Sequence, residues 1–565
     1  MNPGVRAQVP PPAVRLAADT VRVTPAVEPA ARPEVQAFLD QSLRAAWKAA
    51  GVTPSRAATD AEFCRRLYLD LLGRIPTVEE LNAYLNENSR DRRAQLVSKL
   101  LSPEYAEDYT RNWTTIWSNL LIGRAAGNGD ERATVNREGL QQYLREAIKE
   151  NRPYDQMVKE LLTATGTNAP GRPGFNGAVN FLTGKLDDDG VQATAKTAQL
   201  FLGLQVQCTQ CHNHPFNEWK QNRFWELNAF FRQTRPLRRY EDRRLGYVDL
   251  VDEDFLGEGE RRPGEAPIFY ELRNGKLAAA YPVFVDGRAP LKGTGDDAKP
   301  IQSGLLADIN RRQELARFVV GSPELSRALV NRLWAHFLGY GFTKPVDDMG
   351  PHNPPVMPEV LDRLAEELRY RSYDVKELIR VIVLSEAYAR SSAAGRGNAK
   401  DDPTLGAKPL FSRFYLRQMR AEELYQSLLV ATRADRTRSS LEDQEKARRE
   451  WLEQFVKAFG TDDDGEATTF DGTIPQALMM MNGELVKQAT STEPGSFLYR
   501  VAADDKLKNP AKMETLFLAA VARRPTKVEQ QAANALLVAR GGNAAYALQD
   551  LWWALLNSNE FILNH

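Results

Sequence analysis

YLDLLGRIPTVEE, residues 68–80, holds a helix end, a turn and a helix start in one short run. Phe63, Leu67, Leu71 and Leu72 recur at helical spacing after Asp60, and Gly73 and Pro76 then close that helix. Thr77 followed three places on by Glu80 is a capping-box pair that starts the next helix, VEELNAYLN. The same run returns without a gap as FLAAVARRPTKVE at residues 517–529. Leu69 answers Leu518, Arg74 answers Arg523, Pro76 answers Pro525, Thr77 answers Thr526 and Glu80 answers Glu529. LLSPEY at 100–105 resembles LLNSNEF at 555–561. A second echo links SPEYAEDYTRNWTTIWSNLLIG (102–123) with SPELSRALVNRLWAHFLG (322–339). It continues from LQQYLREAIKENRPYDQMVKELL (140–162) to LDRLAEELRYRSYDVKELIRVIV (361–383), where Tyr154 and Asp155 answer Tyr373 and Asp374. The spacing is too long and irregular for a solenoid. The reading is a mainly α protein of two helical lobes with an internal duplication, convergent helix capping being the alternative source of the echoes.

Outward from these runs, residues 1–33 are rich in Pro, Ala and Val without periodicity, the composition of a disordered arm. Helical spacing begins with VQAFLDQSLRAAWKAAG and runs through the first half; Cys64 falls among its apolar positions and reads as a buried, inert thiol. Between about 235 and 300 Gly, Pro and Asp cluster, and Asn274-Gly275 separates two apolar runs, a hairpin signal within a small β-rich module. Helical patterning resumes at Arg311 and breaks at TKPVDDMGPHNPPVMP, residues 343–358; 392–409 and 460–470 read as exposed loops. The expected segments are therefore 1–33, 34–234, 235–300 and 301–565.

The chain has 565 residues, enough for two or three units, and 74 basic residues against 74 acidic ones. That balance gives no footprint for nucleic acid or an anionic membrane surface. Arg238, Arg239, Arg243 and Arg244 are interrupted by Glu241 and Asp242 and read as solvated surface. No apolar run reaches the roughly 18 residues needed to span a bilayer. No Gly-x-Gly-x-x-Gly, Walker loop, Gly-x-Ser-x-Gly or His-Glu-x-x-His occurs.

Chemistry concentrates in QVQCTQCHNHPFNEWKQNRFWELNAFF, residues 205–231, which contains two of the three cysteines and two of the five histidines. Cys208-x-x-Cys211-His212 has the spacing at which two thiols bind a haem c covalently and the next imidazole ligates its iron. Two other readings stay open. Cys208, Cys211, His212 and His214 could hold zinc or iron, although closed sites usually draw ligands from two segments. The cysteines could also form a redox dithiol or a disulfide. Haem attachment to this motif takes place outside the cytoplasm, and MNPGVRAQVPPPAVRLAADT lacks the apolar core of a secretory signal. The expectation is a periplasmic or cell-envelope protein whose signal precedes this numbering; otherwise no haem is attached.

With these residues laid out, the chain resembles the planctomycete proteins that pair a cytochrome-like domain with a planctomycete-specific domain, both of unknown function. The first is carried by RRLYLDLLGRIPTVEE, RPYDQMVKELLTA and LGLQVQCTQCHNHPFNEWKQNRFWELNAFF, and assigns 34–234. The second is carried by NRLWAHFLGYGFTKPVDDMGPHNPP, SYDVKELIRVIVLSEAYARSS, TIPQALMMMNG and LQDLWWALLNSNEFILNH, and assigns 301–565. The resemblance implies an exported protein whose Cys208, Cys211 and His212 give the family its cytochrome-like name. Many relatives carry a further haem-type domain ahead of this region, and have His-Pro-Glu where this chain has Met357-Pro358-Glu359. These departures leave one candidate haem and weaken any role for position 357 as a ligand.

A haem on His212 calls for a second axial ligand or an open face, and an electron-transfer role calls for a redox partner protein. His214 and His352 are the candidate second ligands, His352 lying in a Pro-rich loop beside Asp347 and Asp348; Met349 and Met357 are near it in sequence. His336 follows Trp334 on an apolar face and reads as a core histidine, and Met479, Met480 and Met481 read as core filler. Phe216, Trp219, Phe224, Trp225, Phe230 and Phe231 either line a porphyrin pocket or form a buried helix face.

Overall fold

A computed structural model describes residues 33–124, 134–259, 264–293, 298–437, 440–459 and 473–565. Of the expected arm over 1–33, residues 1–32 lie outside the described residues and Pro33 opens the first helix, and the expected loop over 460–470 lies outside the described residues as well. The chain is mainly α-helical. The first segment forms α1 (Pro33–Ala50), α2 (Asp60–Leu72), α3 (Val78–Leu85), α4 (Arg92–Leu100), α5 (Ala106–Ile122), α6 (Arg137–Lys149), α7 (Tyr154–Thr163), α8 (Asn180–Thr183), α9 (Val191–Leu202) and α10 (Gln221–Asn228). After the strands come α11 (Arg311–Val320), α12 (Pro323–Leu338), α13 (Pro358–Tyr370) and α14 (Val375–Val383). The rest forms α15 (Ala421–Thr432), α16 (Leu441–Phe459), α17 (Ile474–Asn482), α18 (Glu484–Ala489), α19 (Phe497–Ala503), α20 (Asn509–Val521), α21 (Lys527–Ala539), α22 (Ala544–Leu556) and α23 (Asn559–Ile562).

The capping residues do what their chemistry dictates. Thr77 accepts from Glu80 N while Glu80 accepts from Thr77 N, and Thr526 and Glu529 repeat the exchange, so α3 and α21 start alike. The longer echo is also structural. At the α6–α7 corner Arg152 N donates to Ala147 O at 2.8 Å, and at the α13–α14 corner Tyr373 N donates to Leu368 O at 2.8 Å. Asn151 and Ser372 occupy the same left-handed position, φ 51° in both. The two corners touch: Tyr154 N donates to Tyr373 O at 3.2 Å and Asn151 Nδ2 to Asp374 Oδ2 at 3.0 Å.

Between the helical parts lie β1 (Gly166–Thr167), β2 (Thr234–Glu241), β3 (Arg244–Asp252), β4 (Ile268–Glu271), β5 (Leu277–Ala280), β6 (Leu291–Lys292) and β7 (Lys299–Pro300). One sheet has the order β1-β3-β2, and β4 and β5 form the hairpin expected around Asn274-Gly275, with Ile268 opposite Ala280. Arg311 pins this module to the helices, its guanidinium donating to Ala229 O, Ala266 O and Ser303 O at 3.0, 2.9 and 3.1 Å. On the β2–β3 hairpin, Arg239 pairs with Asp249 and Arg238 with Asp187, as a solvated charged surface requires.

The larger apolar core draws residues from Val35 to Tyr415, with Ala522 from the second copy of the turn, so it spans the first helical segment and α11 to α14 together. The smaller core runs from Met419 to Phe561 and takes in Leu69 and Ile75 from the first turn. A short pairing of β8 (Arg417–Gln418) with β9 (Leu563–Asn564) lies where they meet. There Asp70, fully buried, accepts from Arg417, from Tyr388 Oη at 2.7 Å and from Asn564 Nδ2 at 2.8 Å. Burial works to raise the Glu423 carboxyl, but Arg417 and Arg420 outweigh it and hold its pKa at about 2. Among the described residues no helix is long and apolar enough to cross a membrane.

Candidate functional site

α9 ends at Gly203 in the left-handed conformation, φ 67°, and the chain turns through Leu204 and Val206 into the 3-10 turn Gln207–Gln210. Thr209 is the buried residue of that turn, its hydroxyl donating to Val206 O at 2.5 Å. With that side chain anchored inward, Cys208 and Cys211 on either side of it face solvent as free thiols. α10 clamps the turn from behind. Trp225 Nε1 and Gln221 Nε2 donate to Gln210 O at 3.0 and 3.2 Å, and Gln221 Nε2 also reaches Glu271 O of β4 at 2.8 Å. The Trp225 ring stacks on Tyr270 with centroids 5.9 Å apart, so the β module buttresses the cysteine turn.

The two histidines of the motif are held in opposite tautomers. His212 Nδ1 lies 2.7 Å from Asn213 O, and a carbonyl can only accept, so Nδ1 carries the proton and Nε2 keeps its lone pair. His214 Nδ1 instead accepts from Phe216 N at 3.2 Å, which puts its proton on Nε2. His212 thus presents a ring nitrogen ready to ligate, and His214 presents a donor.

The 343–358 loop of the second segment docks beside this turn. Asn331 on α12 braces it, donating to Thr343 Oγ1 at 2.8 Å and Val346 O at 2.7 Å. Asp347 accepts from Gln199 and, at 2.8 Å, from Gln205, while Met349 N donates to Gly203 O at 2.7 Å. The positive φ at 203 favours glycine, and the Met349 side chain packs against that position, its Cε 2.5 Å from where a Cβ would stand. His352 Nε2 donates to Asp348 Oδ1 at 2.9 Å, leaving Nδ1 with its lone pair, the arrangement of a carboxylate-oriented metal-binding imidazole. Its ring centroid is 6.4 Å from that of His214. Between the two loops opens a cleft of about 1040 Å³ whose walls include Phe216, Trp219, Met349 and His352, with Glu324 and Arg327 at the start of α12. Cys208, Cys211 and His212 stand on the turn that leads into it, outside its lining.

Other candidates go elsewhere. His336 is half-buried on the wall of the pocket between α5 and α12, its ring 5.1 Å from Trp113 and 4.8 Å from Phe337; burial, then Arg420 and Arg417, push its pKa down to about 3, so it is neutral. Met357 and Met480 are buried, one ahead of α13 and one in the smaller core, whereas Met481 is exposed. Phe224, Phe230 and Phe231 are buried in the larger core, and Phe216 is 84 % exposed. Cys64 is fully buried, and burial raises its thiol pKa far out of the reactive range. Among the described residues no three or more His, Cys, Asp or Glu side chains gather as a metal site. The bracing by Asn213, Gln221 and Asn331 and the hold of Gln199 and Gln205 on Asp347 left no signal in the sequence, since lone amides form no motif.

Residues 38–236 match the family PSCyt2, a protein of unknown function (DUF1549), and residues 311–537 match PSD1, a protein of unknown function (DUF1553). No curated protein and no solved structure matches the chain. The cysteine turn falls within the first match and the His352 loop within the second, so the cleft is built from both. The chain belongs to the family of proteins that join a PSCyt2 domain to a PSD1 domain, two domains of unknown function.

Proposed function

We propose that this is an exported, c-type-cytochrome-like protein carrying one haem c on Cys208 and Cys211, with His212 as iron ligand, in a redox or electron-transfer role with a partner protein. The observation that carries the reading is the pairing of two solvent-facing free thiols with a His212 ring whose Nδ1 donates to Asn213 O and whose Nε2 is left to ligate. The bound group would supply a one-electron couple at iron. The chain's part is to hold and orient it. Thr209 turns the thiols outward, Trp225 and Gln221 fix the turn, and the Asn213 carbonyl fixes the tautomer and orientation of the His212 ring. Phe216 and Trp219 offer apolar surface in the adjoining cleft, and His352, oriented by Asp348, offers the second imidazole.

The second reading is a haem-free envelope protein, either a metal-dependent enzyme or a structural or binding module, in which the cluster of Cys208, Cys211 and the neighbouring histidines holds a metal or the two cysteines form a disulfide. The exposure of both thiols on one short turn favours it. Protein recovered from its native envelope separates the two. The haem reading expects a Soret band that survives denaturation, a pyridine haemochrome and an intact mass raised by one porphyrin. Bare or mutually oxidised cysteines at the unmodified mass end it, and zinc or iron by elemental analysis at that mass supports the alternative.

A further inference from the structure

The turn at 74–77, α5, α15, α16 and α19 surround a groove of about 660 Å³, a volume typical of small-ligand sites. Its wall carries six arginines, Arg74, Arg111, Arg433, Arg436, Arg448 and Arg500, against two carboxylates, Asp108 and Asp435. Both carboxylates are already engaged. Asp108 is held by Arg74, at 2.8 Å, and by Arg111, while Asp435 is held by Arg448 and, at 3.6 Å, by Arg436. Glu80, outside the wall, takes the other edge of Arg74. The guanidiniums of Arg433 and Arg500 make no hydrogen bond or ion pair among the described residues. Arg433 caps α15 in the left-handed conformation, φ 50°, and its charge is felt at Arg500 on α19. Burial first, and then Arg433, push the Arg500 pKa below its usual value, with Glu79 acting the other way. Two neighbouring cations thus face one groove without an anion between them, and Leu429 and Val430 of α15 add an apolar strip to its wall.

We infer that this groove binds a ligand through a phosphate group held by Arg433 and Arg500 together, with Leu429 and Val430 against the body of an ester. A guanidinium presents a planar fork of N–H donors, and the two oxygens of a carboxylate fill one such fork. A phosphate monoester carries about −1.5 to −2 charges on three oxygens, so it fills two forks at once and balances both cations. Free phosphate and a phosphate ester share this chemistry. Arg74 and Arg111 belong to the first family match and Arg433 and Arg500 to the second, so the groove, like the cleft, is built from both. Neither the cysteine turn nor the His352 loop lines it, and the inference is independent of the haem reading.

The test titrates the full chain by calorimetry with phenyl phosphate, inorganic phosphate and, as the carboxylate control, benzoate, at pH 8 and constant ionic strength. Both phosphates bind saturably, about tenfold or more tighter than benzoate, and raise the unfolding temperature as ligands of the folded state do. Tighter phenyl phosphate assigns an ester with an apolar body, and inorganic phosphate of equal or greater affinity assigns the free ion. Arg500→Gln and Arg433→Asn, the latter a residue that tolerates the left-handed cap, each weaken phosphate about tenfold. Arg449→Gln removes the same charge from an exposed position outside the groove and leaves the affinity unchanged. Arg500 is exposed, so its variant carries the test should Arg433→Asn fail to fold. No saturable binding of either phosphate, benzoate binding as tightly, affinity unchanged in folded Arg500→Gln or Arg433→Asn, or an equal loss in Arg449→Gln overturns the inference.

Discussion

The turn at residues 68–80 and its echo at 517–529 are assembled from the same parts but stand in different places. Arg74 grips Glu80 at 2.8 and 2.9 Å, and Arg523 grips Glu529 at 2.9 and 2.7 Å. Each arginine then takes a second carboxylate, Asp108 for Arg74 and Glu560 for Arg523. The first copy lies between the two cores and the second at the rim, so the Arg74 side chain is 10 % exposed and that of Arg523 32 %. Where the second copy has Ala519, the first has Asp70, which joins α2 to Arg417, Tyr388 and Asn564. The shared residues encode the turn; the residue that differs ties the two cores together.

The largest effect expected from this contrast is at Asp70. Asp70→Ala removes one carboxylate from Arg417 and leaves two other buried donors without their acceptor, a loss of about 3–5 kcal/mol. Asp70→Asn, which keeps the shape, costs less. Chemical denaturation followed separately by probes in the two cores checks it: Asp70→Ala lowers the midpoint and splits one transition into two. A midpoint within error of the parent would mean that the buried contacts do not join the cores.

The next effect concerns the residue that ends the helix ahead of each turn. Gly73 has φ 67° and Ala522 has φ 56°, a conformation that costs a side-chain-bearing residue about 1–2 kcal/mol. A Cβ at 73 would also stand 2.5 Å from Asn112 Oδ1. Gly73→Ala therefore loses about 2 kcal/mol, and Ala522→Gly, which relieves strain but loosens the unfolded chain, gains about 0.5 kcal/mol. Thermal unfolding of the pair gives opposite signs; the same sign in both would break the equivalence of the two copies.

Much of this was legible in residue order because helix caps are local. Thr77 with Glu80, Thr526 with Glu529 and the Asn274-Gly275 hairpin are each decided within a few residues, and the mainly α architecture follows from them with the apolar spacing. The cysteine motif was legible for the same reason. What the spacing could not convey is how far apart in sequence the partners lie. His352 meets its neighbour His214 across a loop from the other half of the chain, and Asp347 is held by Gln199 and Gln205. Nor could spacing tell which of six aromatics face the cleft. Phe224, Phe230 and Phe231 follow the helical period into the core, while Trp219 is placed by the turn before it.

The smallest and most discriminating contrast is electrostatic. Hydrogen bonds from Arg523 lower the Glu529 pKa to about 2, and at Glu80 burial acts upward but Arg74 outweighs it, so that carboxyl is lowered too. An unfolded glutamate titrates near pH 4.3, so below that value the unfolded chain binds protons that the folded turns resist. The stability that the Arg523–Glu529 pair contributes is therefore complete above about pH 4.5 and is lost as the pH falls toward 2, and that of the Arg74–Glu80 pair is lost in the same acidic direction. Glu529→Gln, at an exposed pair, costs under about 1 kcal/mol at pH 7, and Glu80→Gln costs more because Arg74 is left with less water. In both variants the deficit against the parent shrinks as the medium is acidified. Denaturation curves that stay parallel from pH 7 to pH 3 would show that the two ion pairs are not the source, and a larger deficit in Glu529→Gln than in Glu80→Gln would reverse the order that burial imposes on the two turns.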